Sequence, residues 1–142
     1  MKNKNLKTQI KEKPWVREIW FAHIDKYAGK ILEVYKGHRY SLQYHEKKQE
    51  TQYLLSGKAK LIYGTDQKRL QEKILRPGDR IDIYPYTIHR LEAMEDNTRV
   101  IEVSTPDLDD VIKLEDDYGR TGKGNNESMD NKLHRQLKSK NI

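Results

Sequence analysis

Between Lys30 and Ser104 the chain is cut into short runs rich in Val, Ile, Leu, Tyr and Thr, most of them closed by glycine, proline or aspartate. The runs cover 30–36, 39–45, 51–56, 58–63, 71–75, 80–84, 89–93 and 98–104. Gly37, Gly57, Gly64 with Asp66, Pro77 with Gly78 and Asp79, and Asp96 with Asn97 supply the turns. Runs this short with no sustained helical period predict strands. Their tight spacing predicts an antiparallel sandwich or barrel, which must close or cover its edges. A jelly roll meets that demand.

The length of 142 residues leaves room for one domain core. Cysteine is absent, so disulfides, thiolate metal sites and cysteine nucleophiles are excluded and any metal must take nitrogen and oxygen ligands. No apolar run reaches the length of a bilayer span, and Met1 is followed by polar residues, so the expectation is a cytoplasmic protein with no membrane partner. The net charge of +6 sits at the ends: residues 1–13 carry +4 and residues 121–142 carry +3, leaving −1 for the stretch between. No aromatic residue is interleaved with either basic run, so nucleic acid is not an expected partner.

That distribution predicts one domain over residues 14–120, with flexible basic tails at 1–13 and 121–142. Pro14, Trp15, Trp20 and Phe21 predict a leading strand packed on the barrel. The acidic segment 107–118 reads as a short helix or an extended arm. Residues 122–128 read as linker, followed by a frayed helix over 129–138.

His45 and His89 lie in strand-like sequence beside turns, where a lone histidine is ordinarily structural. Their company changes that. Gln43 lies two residues before His45, so strand alternation puts both on one face. Glu50 follows beyond a polar turn that can return it to the side of His45. With His89 arriving from another strand, two imidazoles and two oxygen donors would surround one divalent ion, zinc foremost, with Mn, Fe, Co or Ni also suited. Glu102 stands in an otherwise apolar strand and either points into the barrel or pairs with an arginine at its rim. Arg39 shares the alternation of Gln43 and His45 and is a candidate for meeting a phosphate. Arg120 is another, if the last arm folds over the barrel mouth.

These residues carry a resemblance to the cupin superfamily. Gly37, Gln43, His45, Glu50 and Gly57 reproduce the spacing of its first motif, with glutamine in place of the first histidine. Gly78, Pro85 and His89 keep the spacing of the second, with Tyr84, Tyr86 and Ala93 in place of its proline, glycine and asparagine. A narrower resemblance over residues 13–120 is to the cupin domain of type II mannose-6-phosphate isomerases. It rests on the segments 13–15, 42–45, 101–103 and 115–120. Lys48, Thr51 and Gln52 stand where that family has arginine, histidine and tryptophan, and Val16 where it has glycine.

The resemblance implies an all-β cupin jelly-roll barrel (a double-stranded β-helix) that holds one metal through Gln43, His45, Glu50 and His89. It also implies a homodimer acting on a sugar phosphate. The activity implied is aldose–ketose isomerisation, with mannose 6-phosphate to fructose 6-phosphate as the specific reaction. Glu102 or Glu50 would serve as base and Lys48, Arg39 and Arg120 as phosphate contacts. Two other readings stay open: a non-haem oxygenase built on His45, Glu50 and His89, and a sugar-binding barrel without turnover.

Overall fold

The strand-like runs become strands in the computed structural model, which describes residues 6–141. In chain order these are β1 (Gln9–Lys13), β2 (Val16–His23), β3 (Ala28–Val34), β4 (Leu42–Tyr44), β5 (Glu50–Ser56), β6 (Ala59–Gly64) and β7 (Gln71–Leu75). There follow β8 (Arg80–Ile83), β9 (Ile88–Ala93), β10 (Thr98–Ser104), β11 (Ile112–Glu115), β12 (Gly122–Lys123) and α1 (Glu127–Asn141). One six-stranded sheet has the order β1-β2-β3-β10-β5-β8 and the other β12-β11-β4-β9-β6-β7. The named pairings are antiparallel. This is the jelly-roll barrel that the turn spacing predicts.

Alternation decides what enters the barrel, and it divides the interior into two ends. On β5 the buried residues are Glu50, Gln52 and Leu54, and on β10 they are Thr98, Val100 and Glu102. Register brings Leu54 against Val100, and Gln52 against Glu102, which also faces Lys30 of β3. In the other sheet Ala59 faces Ala93 and Leu61 faces Leu91, while Tyr63 faces His89. One end is therefore apolar, filled by Leu32, Val34, Leu54, Leu61, Leu91, Val100 and their neighbours. The other end gathers histidines, carboxylates and lysines. Burying each leucine of the apolar end contributes about 2 kcal/mol, which supports the charged end where burial alone costs free energy.

Gly57 turns the chain between β5 and β6 at φ +80°, and a side chain there would collide with Thr98. Thr98 is fully buried, and its hydroxyl donates to the Glu95 carbonyl at 2.7 Å.

Two expectations about the ends of the chain are corrected. Residues 9–13, assigned to a flexible tail, form β1 and pair along their length with β2. The helix read over 129–138 is present as α1 at 127–141, but it is docked instead of belonging to a flexible tail, and it buries Asp130, His134 and Leu137. The physical reason is that both elements are held by polar contacts more than by apolar area. Lys13 and Asp130 form a buried pair at 2.8 Å, and the His134 ring meets the Lys13 carbonyl at 2.9 Å. Residues 1–5 of the expected tail lie outside the described residues. The acidic segment 107–118 is mainly an extended arm that includes β11, paired with β4.

Candidate metal centre

His45 leaves the end of β4, Glu50 opens β5 in the opposite sheet, and His89 stands near the start of β9. The polar turn between His45 and Glu50 is pinned by Asp110, whose carboxylate accepts from the backbone N–H groups of Glu46, Lys47 and Lys48. The ligand atoms of His45, Glu50 and His89, one from each residue, all lie within 4.8 Å of one another, and all three residues are buried. Nε2 of His45 is 3.2 Å and Nε2 of His89 is 3.1 Å from Oε1 of Glu50.

Protons are placed by the outer contacts of the two rings. Nδ1 of His45 lies 2.6 Å from the Asp110 carbonyl, and Nδ1 of His89 lies 2.9 Å from the Thr87 carbonyl. A carbonyl only accepts, so each Nδ1 carries a hydrogen, and in the neutral form that binds a metal each ring would turn its Nε2 lone pair toward Glu50. Nε2 of His89 and Oε2 of Glu50 have no hydrogen-bond partner. Lone pairs converging on one buried point repel unless a cation sits among them, so the residues fit a divalent ion.

Gln43 lies directly opposite His89 across the β4–β9 pair and lines the same small cavity as His45. Its Oε1 accepts from the Ser41 hydroxyl at 2.7 Å. An oxygen donor thus stands beside His45 in the cavity and opposite His89 in the sheet. The turn before His89 is built around Tyr86, which adopts φ +66°, a conformation that favours glycine. Its N–H donates to the His45 carbonyl at 2.7 Å and its ring stacks on Tyr44. Tyr86 thus performs the turn that the resembling motif assigns to glycine, and ties the backbone of one ligand loop to the other.

Charges behind the cluster form an alternating chain. Lys48 Nζ lies 3.3 Å from Glu50 and 2.9 Å from Glu102, and Lys30 Nζ lies 3.5 Å from Glu102 and 2.9 Å from Glu18. Burial would raise the Glu50 carboxyl, but Lys48 together with the contacts of the His45 and His89 rings outweighs it and holds the group well below the usual carboxylate range. Burial, and then the charge of Glu50, push Glu102 up, with Lys30 and Lys48 acting the other way. Burial would lower Lys48, yet Glu102 and Glu50 raise it further and it stays an ammonium. Glu102 points into the barrel, one of the two orientations open from sequence, and it bonds lysines instead of a rim arginine.

Arg39 is the misplaced candidate. Its guanidinium sits outside the barrel, paired with Asp117 at 2.7 and 2.9 Å, and does not line the cavity. The alternation that suggested otherwise fails because β4 begins only at Leu42, and Tyr40 and Ser41 both turn inward. Arg120 does line the cavity, held by Asp116 and Asp130. Sequence reasoning missed Lys13, Lys30, Tyr40 and Lys113, which also line it. For Lys30 the signal was present, as a lysine flanked by buried-type residues in a strand.

A family model described as mannose-6-phosphate isomerase C-terminal matches residues 2–116. None of the curated proteins matches the chain. Among solved structures, KdgF from Halomonas sp. is 19% identical with a TM-score of 0.62, over 69% of this chain and 87% of its own. CapF from Staphylococcus aureus is 16% identical with a TM-score of 0.69, over 80% of this chain and 33% of its own. Oxalate decarboxylase from Bacillus subtilis is 16% identical with a TM-score of 0.67, over 75% of this chain and 30% of its own. The chain thus spans most of KdgF and about a third of the other two. These likenesses establish a common cupin fold.

Proposed function

The chain belongs to the mannose-6-phosphate isomerase C-terminal family, and from that membership together with the site we propose that it is a metal-dependent sugar-phosphate aldose–ketose isomerase. Mannose 6-phosphate to fructose 6-phosphate is the proposed reaction. The observation that carries the reading is the convergence of His45, Glu50 and His89 on one buried point beside a second carboxylate, Glu102.

His45, Glu50 and His89, with Gln43 as the oxygen donor, would hold the ion, and a bound divalent cation would supply Lewis-acid polarisation of the sugar's carbonyl and hydroxyl oxygens. Isomerisation also needs a group that takes a proton from one carbon and returns it to the next. Glu102 suits this role, because its displacement above the usual carboxylate range brings proton uptake and release closer to neutral pH. Lys48 keeps Glu102 in place and stays charged, so it orients the base without competing for its proton. Gln52 Nε2 donates to the other Glu102 oxygen at 3.2 Å and fixes the plane of the carboxylate. The barrel walls exclude water from this pair. The protein is further proposed to act as a homodimer without nucleic-acid or membrane partners. Among the described residues no helix is long and apolar enough to cross a membrane.

The test is direct. Purified protein, loaded in turn with Zn, Mn, Fe, Co and Ni, is given mannose 6-phosphate and assayed for fructose 6-phosphate. Product with at least one metal supports the reading, and no product with any of them sinks it.

A further inference from the structure

The space beside the metal donors is a cavity of only about 50 Å³. That holds a water or two and falls far below the roughly 300 Å³ at which small-molecule sites begin. A hollow of about 920 Å³ lies next to it, and the two share Lys13, Leu108 and Asn125 in their linings. The partition is made by the C-terminal segment. Asn125 Nδ2 donates to the Leu108 carbonyl at 3.0 Å, and Lys113 Nζ donates to the Gly124 carbonyl at 2.5 Å. Behind them α1 brings in Asp130, 2.8 Å from Lys13 Nζ and 3.2 Å from Arg120 Nη1.

Lys13, Lys113 and Arg120 all line the inner cavity, and all are buried. Against these three cations stand Asp130, Asp116, which grips Arg120, and Glu18, whose charge acts on Lys13. Burial, followed by the charges of Arg120 and Lys13, pushes the Lys113 ammonium down, whereas at Lys13 and Arg120 burial is outweighed by neighbouring carboxylates, which hold both above their ordinary values. With Asp130 removed, Lys13, Lys113 and Arg120 would outnumber the remaining Asp116 and Glu18, a net positive group that suits an oxyanion.

The attachment of α1 suits release. Its anchors are the ion pairs of Glu127 with Lys11 and Asp130 with Lys13 and Arg120, and the His134 contact to the Lys13 carbonyl. Among its described side chains Leu137 is the one hydrophobic residue that is buried, with Met129 and Leu133 half-buried. Gly122 and Gly124, at φ +112° and +80°, connect it to the barrel.

We propose that Lys13, Lys113 and Arg120 form an oxyanion subsite of the cavity, and that Asp130 is its resident occupant, displaced with α1 when the phosphate of a sugar phosphate enters. The proposal rests on the sugar-phosphate reading above and names the part of the site that would recognise the phosphate. It also explains how an interior of about 50 Å³ could admit such a substrate.

The full-length protein and its Asp130→Asn variant are titrated calorimetrically with inorganic phosphate, mannose 6-phosphate and mannose. Hydrogen exchange of residues 127–138 is followed in the wild type with each of the three. The variant should bind phosphate about 10-fold more tightly than the wild type, because a competing carboxylate is gone. Both phosphate-bearing compounds should speed exchange in α1 of the wild type, and mannose should not. Unchanged or weaker phosphate binding in a folded variant overturns the proposal. So does α1 exchange that ignores saturating phosphate, a readout that needs no variant. Tighter phosphate binding without turnover on any metal would remove the isomerase reading and leave the subsite. Turnover without the gain in Asp130→Asn would do the reverse.

Discussion

Nε2 of His45 and Oε1 of Glu50 stand 3.2 Å apart inside the barrel, while the other nitrogen of the ring is committed to the Asp110 carbonyl. Nε2 of His89 repeats that relationship on the same carboxylate oxygen, so two nitrogens and one oxygen converge where a divalent cation could be held.

His45→Ala and His89→Ala should each lose the bound metal, since each removes one of two nitrogen donors, and Gln43→Ala should weaken binding less. Metal analysis after gel filtration checks this. Both histidine variants should keep the fold by circular dichroism, because the apolar end is untouched. Leu61→Ala should behave in the opposite way, losing about 2–5 kcal/mol of stability in urea while still binding metal when folded.

Most of the barrel was legible because alternation and turns are local signals. The run at 98–104 became β10 with the bounds read from its residues, and Gln43, His45 and Glu50 could be grouped by spacing alone. Arg39 failed because the chain between β3 and β4 is irregular, and alternation has no meaning outside a strand. The two ends failed for a different reason. Lys13 and Asp130 are 117 residues apart, and nothing local in either segment announces that the two charges are buried against each other. Asp130, His134 and Leu137 do follow helical spacing, but two of the three are residues ordinarily read as solvent-facing.

Lys48→Met should destabilise the metal-free protein by about 3–5 kcal/mol, since it leaves Glu50 and Glu102 buried without their common cation. Adding Glu102→Gln should recover part of that loss. Urea denaturation of the single and double variants measures the coupling, and strictly additive losses would contradict the alternating charge chain.

Glu18 sets an acid dependence away from the metal donors. Burial alone would raise its carboxyl, but Lys30, Lys13 and the Trp20 indole outweigh it and hold the group far below its ordinary value of 4.5. A depressed carboxyl contributes stability that is fully present above the unfolded value and lost as pH falls toward the folded one. Unfolding free energy should therefore decline below about pH 4.5, and Glu18→Gln should flatten that decline. Equal slopes for the two proteins would show that the Glu18–Lys30 pair does not carry it.

The account turns on whether the metal centre isomerises a sugar phosphate. Phosphorus and carbon NMR of mannose 6-phosphate mixed with the metal-loaded protein follows substrate and product together, with metal-stripped protein and His89→Ala as controls. Fructose 6-phosphate should accumulate toward equilibrium with the loaded wild type alone. Substrate that stays unchanged beside a fully loaded centre, or product that forms equally in the stripped protein, would contradict the account.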